Sequence, residues 1–307
     1  MKITHNIIIG LGLALTTSLF AQQDVLYTQY FNNFSLINPA YSGNNGTFTL
    51  LAGTRNQWAN NPGGPSTQSL ALHSPVGKKV GLGLSIVHDE VFVLEESHFY
   101  VDFSYTVELS EKSSLAFGLK AGGSYLKVDL LSLGIENDPL FKENISLLSP
   151  NIGAGAYYFT NKFYASFSVL NILQTRHYKK SGNVVSSASD RMVFYGSAGY
   201  VISLVNQLSL KPSLLVKYTQ HVPLATDVSL NLLWKNAFEL GVSYRFDDSI
   251  SSVLQLSLSR QLKAGFSYTS YLLSSDHNIN SAFEVGLVFF GNNSNAKRKA
   301  PFHWRKH

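Results

Sequence analysis

The residues best suited to chemistry lie in one short stretch that is rich in histidine and carboxylate side chains. These residues are His88, Asp89, Glu90, Glu95, Glu96 and His98. Imidazole and carboxylate groups hold zinc and move protons in general acid–base catalysis. Their spacing matches no defined metal or catalytic site, and a solvated loop has the same composition. We therefore expect a charged loop here, no enzymatic activity, and no cofactor or metal.

Two glycine-rich stretches, Gly81–Gly83 and Gly118–Gly123, could in principle cradle a phosphate. A nucleotide-binding turn needs a helix directly after the glycines, and neither stretch is followed by a helical pattern. Glycines within strands instead relieve crowding or allow the strand to bend. The sequence also has no nucleophile elbow and no zinc-ligand spacing.

The elements that would position these residues are strands, as the stretch from Leu208 to Phe246 illustrates. Apolar and polar residues alternate there through three short runs, and only Lys235 and Asn236 separate the last two. A period of two is typical of strands with unlike faces, and a two-residue separation is typical of a hairpin. We expect an antiparallel sheet.

The composition indicates what the apolar face contacts. Only 14% of the 307 residues are charged and 45% are hydrophobic, whereas soluble domains have about 25% charged residues. Beyond the first twenty residues, no apolar stretch approaches the ~20 residues that a membrane helix needs. A membrane protein without such helices is a closed barrel.

The start of the chain resembles a secretory signal. Lys2 and His5 precede the apolar run Ile7–Leu15, which is followed by Thr16, Thr17, Ser18 and Ala21. The short apolar core favours a signal peptide over residues 1–21 rather than an anchoring helix. The chain has no cysteine, so disulfides and a lipid-modified cysteine are excluded.

The remaining chain divides into about fourteen strand-like runs, each near the 9–11 residues that cross a bilayer. We place a transmembrane β-barrel over residues 47–291. The predicted strands are 47–57, 66–74, 80–88, 97–109, 114–128, 150–160, 162–171, 190–204, 207–218, 224–234, 236–246, 250–259, 262–272 and 281–290.

Long and short connections largely alternate between these runs. The long ones include residues 56–65, 89–96, 129–149, 172–189 and 274–280. Outer-membrane barrels have short periplasmic turns and longer extracellular loops, and an even strand number puts both termini in the periplasm.

Aromatic residues near the strand ends fit interfacial girdles; these are Trp58, Tyr157, Tyr158, Tyr218, Trp234, Tyr244 and Phe246.

Several charged residues fall on the inner face of the predicted barrel. They are Lys120, Lys211, Lys217, Asp227, Glu239, Arg245 and Glu284. They could line an aqueous path or grip a passenger segment. Because opposite signs occur on adjacent strands, ordinary cross-strand pairing is the favoured interpretation. A barrel of this size is too wide for its own wall to fill, so something must occupy the lumen or pass through it.

Two segments flank the barrel. Residues 22–46 are aromatic and amide-rich and lack strand or helix periodicity; they include Gln29, Tyr30, Asn38, Pro39, Ala40 and Tyr41. This segment either lies in the lumen or at its periplasmic rim, where residues 27–41 would act as a plug, or is an ordinary leader. Residues 292–307 form a basic tail that gives the chain its +5 charge, so the charge indicates no nucleic-acid partner.

Several short motifs follow one another along the chain. They are Gln22-Gln23-Asp24, Gln29-Tyr30, residues 37–43, Arg55-Asn56-Gln57-Trp58, residues 153–158, Lys211-Pro212-Ser213, Pro223 with Asp227, and residues 241–245. Taken in this order, they resemble the PorP/SprF family of outer-membrane proteins of the type IX secretion system and gliding motility. The family often has Gly-Ser-His-Glu before its last strand. Here Glu284 is retained and the histidine is not.

The resemblance implies two alternative roles. One is export and surface anchoring of a secreted partner, such as an adhesin, through its C-terminal sorting domain. The other is a core role that links the outer membrane to periplasmic secretion lipoproteins. We favour the first because the long connections offer a surface to an extracellular partner. A passive porin is a third hypothesis, and outer-membrane lipid is expected around the barrel in every case.

Overall fold

The structure is a computed structural model that describes residues 27–32, 34–58, 63–135, 143–173, 176–181, 184–189, 191–272 and 281–291. Side chains are described in all of these ranges except 176–181 and 184–189. The predicted signal peptide, residues 22–26 and the basic tail 292–307 lie outside the described residues.

Strands make up most of the described chain. They are β1 (Thr49–Gln57), β2 (Ser66–Pro75), β3 (Val80–Val91), β4 (Leu94–Ser110), β5 (Ser113–Val128), β6 (Ile145–Thr160), β7 (Phe163–Leu170), β8 (Arg176–Ser181), β9 (Val184–Ser189), β10 (Val193–Tyr200), β11 (Ile202–Ser203), β12 (Leu208–Thr219), β13 (Ala225–Trp234), β14 (Phe238–Arg245), β15 (Ser249–Ser257), β16 (Leu262–Tyr271) and β17 (Ser281–Phe290).

Fourteen of these strands close into one antiparallel barrel, which confirms the predicted fold. Each strand pairs with its neighbour in sequence, β10 pairs with both β7 and β12, and β17 pairs with β1 from Thr49–Phe290 to Gln57–Ala282. The two-residue β11 continues the line of β10 along β12, and β8 and β9 form a separate hairpin. Closure leaves the barrel without a free edge.

Along the strands, polar side chains face the lumen and apolar side chains face outward, in the alternation that the sequence predicted. In β13, Asp227, Ser229 and Asn231 are buried inside while Val228 and Leu230 are exposed outside. The outer surface is a belt of exposed apolar side chains, as lipid contact requires. Tyr218, Trp234, Tyr244 and Phe246 belong to it. Tyr157 does not: it points into the lumen and is 1% exposed, so its predicted place in an aromatic girdle is wrong.

Two predicted connections and one predicted strand illustrate where the structure differs from the prediction. The loop predicted at 89–96 is instead the tip of a hairpin, because β3 and β4 stay paired up to Val91–Leu94. The loop predicted at 129–149 contains a 3₁₀ turn, Leu131–Leu133, and β6 already begins at Ile145. The run predicted at 190–204 is divided into β10 and β11.

The two short helical elements at the start of the described chain lie inside the barrel. They are α1 (Phe34–Ile37) and a 3₁₀ helix, Pro39–Tyr41. No helix among the described residues is long and apolar enough to cross a membrane.

Candidate functional site in the barrel lumen

The lumen is occupied by the start of the chain itself. We call residues 27–46, of which residue 33 is not described, the lumenal segment. Most of its side chains are buried: Tyr30 is 1% exposed and Asn38, Ala40 and Ser42 are 0% exposed. The alternative that this stretch is an ordinary leader outside the barrel does not agree with such burial.

Aromatic side chains hold the middle of the lumenal segment. The ring of Phe34 lies 5.1 Å from that of Tyr41, 5.6 Å from Tyr157 of β6 and 5.5 Å from Tyr164 of β7. Such centroid distances are typical of attractive aromatic pairs. The buried cluster continues along the inner wall with Ala116, Phe159, Val193, Tyr195 and Leu215.

Asn38 fixes the bend between the two helical elements. Its Oδ1 accepts a hydrogen bond from the Ala40 amide at 2.9 Å, which caps the 3₁₀ helix. Its Nδ2 donates to Ser166 Oγ at 2.7 Å and to the Ala156 carbonyl at 3.0 Å. An asparagine suits this place because its amide both accepts and donates, so it joins the segment to β6 and β7.

A buried ion pair on β4 and β5 supports the same part of the segment. Lys120 Nζ lies 2.7 Å from Asp102 Oδ1. Asp102 Oδ2 accepts from Ser42 Oγ at 3.1 Å, and Lys120 donates to the Ser35 carbonyl at 3.4 Å. Buried charges need this kind of compensation, and here the lumenal segment provides part of it.

A second ion pair holds the beginning of the segment. Arg55 Nη1 of β1 lies 2.7 Å from Glu284 Oε1 of β17. The two carboxylate oxygens of Glu284 accept the amide hydrogens of Thr28 at 2.7 Å and Gln29 at 3.1 Å. Charge-assisted hydrogen bonds to a carboxylate are among the strongest in proteins, so Glu284 joins the barrel closure to the segment.

Glycines on the inner wall make room for the segment. A Cβ atom at Gly118 would overlap the backbone of Ala40, and one at Gly155 would overlap the Asn38 side chain. A Cβ at Gly81 would overlap the Ser42 carbonyl. The glycines predicted to relieve crowding therefore include positions where the segment contacts the wall.

The segment runs lengthwise through the lumen. Thr28 and Gln29 lie level with Arg55, near the end of β1 that leads to the long connection 58–65. Ser42 lies against Gly81 and Ser104, near the opposite end, where residues 76–79 make a short turn. The first described residues thus face one mouth, whereas the start of β1 and the end of β17 lie at the other.

The remaining predicted inner charges also lie inside the barrel. Lys211 Nζ is 2.9 Å from Glu239 Oε1, and Asn231 donates to the same oxygen at 2.7 Å. Arg245 Nε is 2.7 Å from Asp227 Oδ1. Lys217 is buried with its Nζ 6.0 Å from the centroid of the Tyr195 ring. Asp227 and Arg245 lie on the neighbouring strands β13 and β14, whereas Lys211 and Glu239 join β12 to β14 across the strand between them.

The motif at the end of the first strand and the stretch rich in histidine and carboxylates both lie at the end of the barrel from which the long connections leave. Tyr271 donates to Gln57 Oε1 at 2.6 Å, and Trp58 has a positive φ of 54° directly after β1. His98 Nε2 lies 3.7 Å from Asp89 and 3.8 Å from Glu96. No group of three potential ligands among the described residues is arranged to hold a metal ion.

Wall residues that contact the segment but were not predicted from the sequence include His73, Asp102 and Ser168. His73 Nδ1 accepts from the Gly43 amide at 3.1 Å, and Ser168 donates to the Ile37 carbonyl at 2.6 Å. Asp102 was detectable, because it is a charge on the inner face of a strand next to that of Lys120. Serines on an inner face carry no such signal.

The tyrosines of the segment are neutral at physiological pH. Burial, with a smaller contribution from the negative charges of Asp89 and Glu284, raises the pKa of the Tyr27 phenol. Burial likewise raises the pKa of Tyr30, whose hydroxyl donates to Ser213 Oγ at 2.8 Å. The Tyr30 phenol therefore acts as a hydrogen-bond donor, and both phenols are uncharged in the packed lumen.

The fold and the occupied lumen define an outer-membrane β-barrel that holds its own N-terminal segment. The sequence identifies its family: the model for the type IX secretion system membrane protein PorP/SprF matches residues 19–289. The chain belongs to this family, as its motifs predicted. No curated protein matches it by sequence.

Solved structures with a similar fold are outer-membrane barrels. The CymD monoaromatic hydrocarbon channel has a TM-score of 0.51 and 13% identity, and the match covers 85% of this chain and 93% of that one. The toluene transporter TbuX of Ralstonia pickettii has a TM-score of 0.49 and 12% identity, with 83% and 91% covered. Omp33 of Acinetobacter baumannii has a TM-score of 0.47 and 9% identity, with 80% and 98% covered. At these identities the likeness concerns the fold alone.

Proposed function

We propose that this protein assists the export and cell-surface anchoring of a secreted partner, such as an adhesin, recognised through the partner's C-terminal sorting domain. Membership of a type IX secretion family supports the pathway. The observation that carries the role is the buried lumenal segment. Glu284 and Asp102 of the wall hold it, and its own Asn38 donates to the wall. An occupied lumen favours docking at the ends of the barrel over transport through it.

The core role remains the second candidate. In that role the barrel binds periplasmic secretion lipoproteins through its short-connection end. The adhesin role is favoured because the strand ends that lead into the long connections, such as Val128, Ile145 and Leu170, lie at one end of the barrel. Exposed connections carry most binding functions on rigid scaffolds. We propose that this end is extracellular and that the end of β17, with the basic tail, is periplasmic.

The role is tested by deleting the gene and measuring which proteins disappear from the cell surface. We expect loss of a secreted protein that carries a C-terminal sorting domain, with the secretion machinery otherwise intact. The core role predicts a general loss of secreted proteins and co-purification with periplasmic lipoproteins. Unchanged surface proteins after deletion would contradict both roles.

A further inference from the structure

Three neighbouring strands, β4 to β6, are longer than the other strands of the barrel, and the end of β3 stays paired with β4 up to Val91. β4, β5 and β6 have 17, 16 and 16 residues, whereas β14 on the far side has 8. A strand needs only about 9–11 residues to cross a bilayer. We call the extra part, residues 87–98, 124–128 and 145–149, the raised wall. It stands at the long-connection end, outside the apolar belt.

On β3 and β4, the apolar residues face outward below the raised wall and inward within it. In the lower part of β4, Phe99, Val101 and Phe103 point outward and are exposed to lipid. Above Phe99, the outward positions of β4 are polar, with Ser97 and Glu95, and Lys127 of β5 lies opposite Glu95. On β5 and β6 the outward residues Tyr125 and Leu148 are still apolar. The outer face of the raised wall is therefore suited to water on β3 and β4.

The upper part of the inner face of the raised wall is apolar, on β5, on β6 and at the tip of the β3–β4 hairpin. Its upper row consists of cross-strand neighbours on four strands: Val91, Leu94, Val128 and Ile145. Leu126 and Leu147 adjoin this row below. None of these six side chains is in the buried class, and none belongs to a buried cluster of the described residues. Contiguous apolar surface of this kind marks an interaction site.

A pair of carboxylates lies beside this apolar surface. Asp89 and Glu96 face each other across β3 and β4 in the same row as Leu126 and Leu147. Like charges directly opposite each other on neighbouring strands are destabilising. His98 Nε2 lies 3.7 Å and 3.8 Å from the two carboxylates, and Thr67 Oγ1 donates a hydrogen bond to Asp89. The two carboxylates give this part of the inner face a negative charge, which a lysine or arginine of a partner complements.

From these observations we infer that the inner face of the raised wall binds a polypeptide segment that combines apolar residues with at least one lysine or arginine. The carboxylates repel anionic lipid headgroups, which leaves a basic peptide as the complementary occupant. The assignment of this segment to the exported partner rests on the proposed function. The lumenal segment closes the space below, so the partner approaches from the mouth.

Site-specific photo-crosslinking in cells tests this inference. The full-length chain carries p-benzoylphenylalanine in place of Leu126, which faces inward. The matched control carries it in place of Lys127, which faces outward at the same height. We expect the Leu126 probe to form an adduct with a secreted protein, in a segment that mass spectrometry shows to be apolar and basic. An adduct with lipid, with a second copy or with this chain itself, no adduct, or equal adducts from both probes would overturn the inference.

Charge and apolar variants make the test specific. Asp89→Asn with Glu96→Gln, and separately Leu94→Asn with Val128→Asn, should each lower the adduct yield about tenfold or more, as loss of interface anchors does. Glu90→Gln with Glu95→Gln on the outer face is the control and should leave the yield unchanged. Each variant must migrate as a folded barrel in unheated gels. Unchanged yield in the folded inner-face variants would refute the site.

The inference and the proposed function fail in distinguishable ways. If gene deletion leaves the surface proteins unchanged, the proposed function is wrong, while the adduct still reports on the raised wall. If deletion removes a surface protein but the inner-face variants restore it fully, the proposed function stands and the raised wall is not the docking site.

Discussion

Arg55 and Glu284 face each other on the first and last strands of the barrel, with 2.7 Å between Arg55 Nη1 and Glu284 Oε1. Both side chains are buried, and the same carboxylate accepts the amide hydrogens of Thr28 and Gln29. The same ion pair therefore contributes both to closure of the barrel and to retention of the lumenal segment.

Removing one member of this pair should be costly. We expect Arg55→Met to lower the free energy of unfolding by about 3–5 kcal/mol, because it leaves a buried carboxylate without its cation. Urea unfolding of the protein in liposomes measures this change. The double variant Arg55→Met with Glu284→Leu should cost less than the single variant, since no charge stays uncompensated. A double variant that is as unstable as the sum of the two single variants would show that the pair is not coupled.

The closing ion pair was only partly predictable. Alternation in β17 placed Glu284 on the inner face, and the resemblance to a family singled out Arg55. Nothing in either strand showed that the two residues are cross-strand partners or that Glu284 accepts amides of the lumenal segment. Such contacts join positions more than 200 residues apart in sequence, and local periodicity carries no information about them.

A side chain at Gly118 should expel the lumenal segment. A Cβ there would overlap Ala40, so Gly118→Leu has no space while the segment is in place. We expect the wild-type protein to be silent in planar bilayers and the variant to conduct. Gly196→Leu is the matched control, because nothing lies within 4 Å of a Cβ built on Gly196 of β10. A variant that folds and stays silent would argue against a plug.

Strand prediction succeeded where the membrane imposes alternation and failed where it does not. Between β12 and β14 the inner and outer residues follow the predicted pattern. At 89–96 the apolar positions change face, since this part of the wall is outside the apolar belt, and the reversal was misinterpreted as a loop. Tyr157 was misplaced because an aromatic residue suits both a lipid interface and an aromatic cluster in the lumen.

Truncating Phe34 should loosen the segment without opening the barrel. Its ring contacts Tyr41, Tyr157 and Tyr164 in the lumen. Phe34→Ala removes a buried aromatic side chain, a change that typically costs about 3–5 kcal/mol. We expect faster hydrogen exchange at residues 34–45 and unchanged exchange in the strands of the far wall, measured by mass spectrometry. Phe103→Ala, on the lipid-facing side, is the control and should leave exchange in the segment as it is. Uniformly faster exchange throughout the protein would indicate that segment and barrel unfold together.

A charge on the outer face should distinguish lipid contact from any other apolar environment. Val242 lies in the middle of β14, is 55% exposed and points away from the lumen. Val242→Lys should destabilise the barrel by roughly 2–4 kcal/mol in a bilayer, the cost of a lysine near the midplane.

The neighbouring Ser243 faces inward, where its hydroxyl lies 2.8 Å from that of Ser229. Ser243→Ala is therefore a control for the strand itself and should cost about 1 kcal/mol. The cost of Val242→Lys should fall when detergent micelles replace the bilayer, because the lysine can then reach water. Equal stability of Val242→Lys and the wild type in liposomes would mean that this face does not contact the hydrocarbon core.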